Sequence, residues 1–395
     1  MTDVTKAKEK ARQRIESARD ELIDLSHRIH ANPELAFNEH KASGWLAGAL
    51  TGAGFDVEKP ACGLDTAFIG RAGSGSNCAL HVVICAEYDC RPGIGHACGH
   101  HIIAASAIGA AFGAGEVADE VGLRISVMGT PAEEGGGGKI IMLEKGAFDG
   151  VNAAMMIHPS PADVMDPPII AVSHFDVRYR GKEAHASSYP QQGINAADAL
   201  TVAQVAIGLL RQQIRDTDRV HGIVTKGGEA PNIIPAETSA KYYVRARTLS
   251  QLDEVKAKVV KCFEAGAVAT GATMEIKDAE PPYSEMRHDA DMAQAYRRNA
   301  EALGRAFVDA GPEMQRFAGS TDMGNVSLVI PSIHPMIGIG SWPASNHQPE
   351  FTEHCATEAA DKAVIDGAIS MAWTAIDMAT DEGMRKRLSA TAYSR

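Results

Sequence analysis

The chain has no excess of positive charge: 50 Asp and Glu face 38 Lys and Arg across 395 residues, a formal net charge of −12. That argues against nucleic acid or an anionic membrane surface as the main partner. No apolar run approaches the roughly 18 residues of a bilayer span. The first thirty residues read as a charged amphipathic helix, without the apolar core of a signal peptide. Cysteines number only seven, an odd count scattered without a framework spacing. They read as free thiols in a reducing compartment, and the expected location is the cytoplasm. Internal repeats are missing, and only Gly135–Gly138 is low in complexity. What remains is an ordinary globular composition, 45% hydrophobic and 22% charged, on a chain long enough for two domains.

Helical periodicity covers Lys6 to Ala31, with Leu22, Ile23, Leu25 and Ile29 on the buried face, and a second helix follows from His40 to Leu50. Ala79–Ala86 reads as a buried strand, and the small-residue stretch Ile102–Ala114 as a helix packed closely on a sheet. Leu123–Met128 (strand), Ile140–Lys145 (helix) and Ala153–Ile157 (strand) continue a βαβ rhythm. This predicts an α/β fold with a mostly parallel central sheet flanked by helices. Near Ile169 the order becomes strand, helix, strand, strand, helix, strand, the split βαβ pattern of a ferredoxin-like module. Loops at Asp166-Pro167-Pro168 and Glu280-Pro281-Pro282 bracket it. The expected architecture is one domain over 1–170 and 285–395, interrupted by a ferredoxin-like α+β domain over 171–284. That insert would supply a dimer contact through its sheet edge or helices.

Chemistry-bearing residues gather where strands should end. Cys98 and His100 lie in Gly95-His96-Ala97-Cys98-Gly99-His100-His101, Glu133 and Glu134 after the strand from Leu123, His158 after the strand from Ala153, and His347 far downstream. Open α/β sheets place ligands at such ends. Singly, each residue has a plain structural role: a small buried thiol, a helix-start histidine, a first-turn acid pair, a turn, a surface imidazole. Jointly they point to a metal, because these residues fall together at strand exits. Thiolate, imidazole and carboxylate suit zinc, with manganese, cobalt or nickel compatible. The donors exceed the needs of one tetrahedral ion, so two divalent ions per protomer are expected.

These motifs also carry a resemblance that spans nearly the whole chain. His30-Ala31-Asn32-Pro33-Glu34-Leu35, His96-Ala97-Cys98-Gly99-His100 and Thr130-Pro131-Ala132-Glu133-Glu134 come first. Gly181-Lys182-Glu183-Ala184-His185-Ala186-Ser187, Asn232-Ile233-Ile234-Pro235 and Ser345-Asn346-His347 come after them. In that order they resemble the dinuclear metal-dependent amidohydrolases and carboxypeptidases: aminoacylases, hippurate and auxin-conjugate hydrolases, aminobenzoyl-glutamate hydrolases. Glu87-Tyr88-Asp89, Pro92-Gly93-Ile94-Gly95-His96 and Gly319-Ser320-Thr321-Asp322-Met323-Gly324 look most like the aminobenzoyl-glutamate and small-dipeptide branch. The resemblance implies Cys98 as a bridging thiolate, with His100, Glu134, His158 and His347 as the other ligands. It implies Glu133 as general base, and His185 as an oxyanion donor reaching a partner subunit's site. Asn232 would contact substrate, and Arg245 would hold a substrate carboxylate through its bidentate fork. The implied substrate is an N-acyl amino acid, an aminobenzoyl-glutamate-like conjugate or a small dipeptide, and the implied assembly a homodimer.

The chain departs from the family pattern in two places. His101 stands where relatives carry Asp or Asn, and the strand end Ala86-Glu87-Tyr88-Asp89 lacks a His-x-Asp motif; Cys90 has no assigned place. Three other readings remain open at this level: a metal-dependent aminohydrolase releasing ammonia, a non-catalytic binding protein, and a cysteine hydrolase built on Cys98.

Overall fold

The computed structural model describes residues 3–73, 78–308 and 319–394. Its first part runs α1 (Val4–Ser17), α2 (Arg19–His30), α3 (His40–Gly52), β1 (Asp56–Glu58), β2 (Phe68–Ala72), β3 (Leu80–Ala86), α4 (His100–Val121), β4 (Leu123–Gly129), α5 (Gly138–Glu144), β5 (Ala153–Met155) and β6 (His158–Ser160). Next come β7 (Ala171–Arg180), α6 (Ala196–Leu210), β8 (Arg219–Lys226), β9 (Glu237–Ala246), α7 (Leu249–Thr270) and β10 (Thr273–Asp278). The chain closes with α8 (Ala290–Ala302), α9 (Met323–Ser327), β11 (Ser332–Ile333), β12 (Met336–Gly338), α10 (Pro349–His354), α11 (Glu358–Thr380) and α12 (Glu382–Ser389). Two compact units result: Ile169–Glu285 with Gly319–Thr321, and the described residues on either side of them.

The larger unit is built on a sheet in the order β1-β2-β4-β3-β5-β11. Its centre is parallel (β4, β3, β5, β11), while β1 and β2 add antiparallel strands at one end. β3 and β4 are buried at almost every position, as a parallel sheet covered on both faces requires. The periodic stretch expected to be one helix from Lys6 is two, because Ala18 leaves the helical region (φ −100°, ψ 7°) and its amide turns back to Ile15 and Glu16.

α4 corrects the expectation that no stretch reaches bilayer-span length: its 22 residues are long and apolar enough. It is the core helix of this unit, packed against α11, α1 and the sheet, with Ile102, Ile108 and Phe112 buried. Each such side chain contributes about 1.5–3 kcal/mol by leaving water.

The smaller unit is an antiparallel sheet, β10-β7-β9-β8, with α6 and α7 packed on it. β7 alternates buried and exposed residues, the signature of a sheet covered on one face. The strand–helix–strand–strand–helix–strand order expected from the sequence is the order found.

His81 on β3 gives this fold a pH dependence. Burial, and then the nearby Arg124, push its pKa down to about 4, while an unfolded histidine titrates near 6.5. The folded chain therefore keeps this imidazole neutral where the unfolded chain protonates. Its stabilisation is complete above pH about 6.5 and is lost as pH falls towards 4, by on the order of 3 kcal/mol. Urea unfolding of wild type and His81→Gln between pH 7 and 4 should show a shallower pH slope in the variant. Equal slopes would reject the assignment.

Candidate metal centre

The loop after β3 and the start of α4 set the first donors. Gly99 sits between Cys98 and His100 at φ 71°, where a Cβ would lie 2.9 Å from Pro159 Cγ. Only glycine fits that left-handed turn against Pro159, and it makes His100 the first residue of α4. Beside it, Gly138 opens α5 with its Cα pressed on the chain leaving β4: a Cβ there would stand 1.9 Å from the Pro131 carbonyl oxygen. The next residue, Lys139, is tied to Asp322 through its amide at 2.9 Å.

Asp89 ties the two donor loops together. Its Oδ1 pairs with His100 Nδ1 at 3.0 Å and its Oδ2 accepts the Glu134 amide at 2.9 Å. With the proton on Nδ1, His100 presents the lone pair of Nε2 inward. This atom stands 3.4 Å from Glu87 Oε2 and 3.8 Å from Glu133 Oε2. Glu87 Oε2, His100 Nε2 and Glu134 Oε1 are all buried with no hydrogen-bond partner among the described residues. Buried polar atoms are normally satisfied, so these three fit a cation. Two donors of one tetrahedral ion bonded at about 2.0–2.1 Å stand roughly 3.4 Å apart, which matches the Glu87–His100 separation. His158 Nδ1 is engaged with the Pro159 carbonyl at 2.9 Å, leaving Nε2 for the same centre.

Four groups of donors have ligand atoms within 4.8 Å of one another: Glu87, His100 and His158; Cys98, Glu134 and His347; His100, Glu133 and Glu134; Glu87, Glu133 and Asp322. The structure thus gathers all five sequence-derived ligand candidates and Glu133 in one region. His347 is held there at φ 72°, its amide bonded to the Ala97 carbonyl at 2.9 Å. Glu133 and Glu134 lie in a loop after β4, not in the first turn of a helix.

Electrostatics divides the donors. Burial, and then Glu87 and Glu134, push the Glu133 carboxyl well above the usual range. Burial opposes the charge on His100, but Asp89, Cys98 and Glu87 outweigh it and raise that pKa far above normal. His158 falls to about 4 through burial and the neighbouring His100. Burial raises the Cys98 thiol, a penalty that a coordinated cation would reverse.

Three residues here escaped sequence reasoning: Glu87 and Asp322 as donors, and Lys139 between them. Lys139 Nζ lies 2.5 Å from Glu87 Oε1 and 2.6 Å from Asp322 Oδ1, with all three side chains fully buried. Burial works against its charge, but Asp322 and Glu87 hold it protonated. The strand-end criterion that found Cys98 also applies to Glu87, the residue directly after β3. No such signal exists for Lys139 on α5.

His101 belongs to none of the donor groups. Its Nε2 meets the Cys355 carbonyl at 3.0 Å and its ring packs against His96 and His30. Cys90 is buried, its thiol raised to about 11 by burial.

In the smaller unit, His185 and Ile233 pair across a short antiparallel bridge, and the Ala186 amide bonds to the Asn232 carbonyl at 3.0 Å. His185 and Asn232 are both exposed. Amides of Ser187 and Ser188 reach His185 Nδ1 at 3.3 and 3.2 Å, so the ring proton sits on Nε2 as an outward donor. Arg245 stands at the other end of β9, paired with Val172. Its described partners are Ser320 Oγ at 2.9 Å and His221 Nε2 at 3.4 Å. No carboxylate among the described residues pairs with it, and burial lowers its pKa.

Comparison with known proteins bears on the family and the fold. Residues 172–270 match the peptidase dimerisation domain family. The chain is 38% identical to a Xaa-Arg dipeptidase of Mus musculus, over 96% of this chain and 91% of that protein. It is 30% identical to a p-aminobenzoyl-glutamate hydrolase chain of Escherichia coli, over 67% of this chain and 58% of that protein. Among solved structures, a dinuclear metal-binding peptidase of the M20 family from Bacillus subtilis superposes with a TM-score of 0.69 at 22% identity, covering 91% of this chain and 98% of that one. A chain whose fold carries this donor cluster, and whose sequence tracks the dipeptidase nearly end to end, belongs to the M20 peptidase family, the hydrolases of carbon–nitrogen amide bonds.

Proposed function

We propose that the protein hydrolyses the amide bond of a small dipeptide or N-acyl amino acid, using two divalent ions and Glu133 as general base. The observation that carries this reading is the orphaned set Glu87 Oε2, His100 Nε2 and Glu134 Oε1, buried beside a Glu133 whose proton affinity is raised. Glu87, His100 and His158 would hold one ion, and Glu134 and His347 the other, with Cys98 between them. Zinc or manganese suits this donor mix, and cobalt or nickel is compatible. Bound divalent ions of this kind acidify water and polarise a carbonyl. The chain's own contribution is proton handling: Glu133 takes a proton from the attacking water and returns it to the departing nitrogen, for which a raised carboxyl pKa is suited.

His185 donates through Nε2–H to the oxyanion, Asn232 contacts the substrate, and Arg245 takes its carboxylate. We infer that these residues come from two chains. From Val172, opposite Arg245, to Arg180 at the far end of β7 is roughly 26 Å at about 3.3 Å per residue, and His185 lies beyond Arg180. That separation supports a second copy as the source of His185 for a small substrate held by Arg245. The smaller unit offers a surface for it: β8 is the sheet edge, and Ile223 (65% exposed) on it and Leu209 (71%) on α6 are uncovered. An edge strand with exposed aliphatic residues suits an isologous dimer.

The test is a substrate panel on metal-loaded protein: N-acetyl amino acids, aminobenzoyl-glutamate, and dipeptides ending in Arg, Lys or neutral residues, with product analysis. Cleavage to two amide-derived fragments supports the reading. Release of free ammonium alone would instead favour an aminohydrolase, and full activity after chelation would reject the metal mechanism.

A further inference from the structure

Arg91 stands inside the donor group formed by Cys98, Glu134 and His347. It lies in the tight loop after β3, closed by bonds from the Arg91 amide to the Gly95 carbonyl (3.0 Å) and back (3.2 Å). Its Nη1 lies 2.5 Å from Glu134 Oε2 and 3.2 Å from His347 Nε2. A guanidinium only donates, so His347 must accept through the Nε2 lone pair, the same electrons that would bind an ion. The guanidinium is drawn to this place: burial opposes its charge, but Glu134, Cys98 and Glu133 together raise its pKa.

The other group, Glu87, His100 and His158, has no such arginine among the described residues. Its internal cation, Lys139, sits on the far oxygen of Glu87 and leaves Oε2 and His100 Nε2 clear. The two halves of the centre are therefore unequal. Glu134 could meet an ion through its unpartnered Oε1, but an ion bonded to His347 at about 2.0–2.1 Å needs the Nε2 lone pair that faces Arg91 Nη1, so the guanidinium must give way. The Arg91 side chain is one-third exposed (33%), so it has a route out.

We propose that Arg91 is a built-in competitor for the second metal ion: the Cys98–Glu134–His347 subsite fills only when the guanidinium swings out. The Glu87–His100–His158 subsite fills independently. This rests on the two-ion reading of the centre and adds that the second ion's affinity is set by an arginine outside the ligand set.

The experiment is calorimetric titration of the full-length, metal-stripped protein with Zn²⁺ and, separately, Mn²⁺, for wild type, Arg91→Leu and Arg91→Lys. Thermal unfolding is measured with and without each ion. Wild type should bind one ion tightly and the second more weakly. Losing a charge-assisted hydrogen bond to Glu134 should tighten the second step by about 10- to 100-fold in Arg91→Leu, with the first step unchanged. Arg91→Lys should fall between. Without metal, Arg91→Leu leaves Glu134 without its cation, so its melting temperature should be lower and its gain on adding ion larger than in wild type. If Arg91→Leu does not fold without metal, the wild-type and Arg91→Lys titrations decide. Two unchanged affinities across the variants overturn the proposal and spare the two-ion reading. No ion bound in any of the proteins overturns both.

Discussion

Glu133→Gln should retain its metal content and lose turnover by a factor of at least about 10² to 10⁴. The amide keeps the shape of the side chain but cannot accept a proton. Glu133 has Glu87, Glu134 and Asp322 near it, so removing its charge relieves repulsion in the cluster and should not destabilise the fold. Elemental analysis and kinetics on the same preparation separate loss of metal from loss of base. If Glu133→Gln keeps more than about a tenth of the activity, the base lies elsewhere.

The same variant tests the proposal that His185 serves a partner's site. In a mixed dimer of Glu133→Gln with His185→Ala, one of the two sites combines an intact Glu133 with the partner's intact His185. Turnover should therefore reappear on mixing two inactive proteins. If His185 serves its own chain, both sites of every mixed dimer carry a defect and mixing restores nothing.

The second large effect is on stability. Lys139→Met removes the cation shared by two fully buried carboxylates, Glu87 and Asp322, at 2.5 and 2.6 Å. Breaking a buried ion pair from one side costs about 3–5 kcal/mol, because the partner charge is left without compensation. Denaturant unfolding of the metal-free protein should show that loss. Neutralising the partners as well, in Lys139→Met/Glu87→Gln/Asp322→Asn, should recover much of it. If the single variant is as stable as wild type, the triad carries no such coupling.

The parts of this molecule that were legible in the sequence are those governed by local pattern. The apolar run Ala79–Ala86 became β3, and the alternation from Ala171 became β7, because burial on two faces or one writes a period into the chain. Cys98, His100, Glu134, His158 and His347 were visible because strand exits and recognisable motifs mark them. Lys139, Asp322 and Arg91 were not. Lys139 is an isolated basic residue at the start of a short helix, and its inward place shows only in bonds to Asp322, a residue 183 positions away. Arg91 sits in a glycine-containing turn, where a basic residue ordinarily faces water. Its engagement with Glu134 and His347, a residue 256 positions away, depends on long-range folding that no local pattern encodes. The break at Ala18 escaped for the opposite reason, since the apolar period continues across it.

The way the smaller unit leaves and re-enters the chain has a consequence for protein engineering. Val172, near its beginning, and Tyr283, near its end, are hydrogen-bonded neighbours with both amide–carbonyl contacts at 3.0 Å. Its entry and exit therefore share one address, so the insert behaves like a cassette. A transplant of the Ile169–Glu285 segment needs two joints at a single place, with Gly319–Thr321, which completes the unit, matched to it. Every donor in the four candidate metal groups lies outside it, so a chain trimmed of this cassette would part the proposed ion binding from the proposed pairing with a second copy.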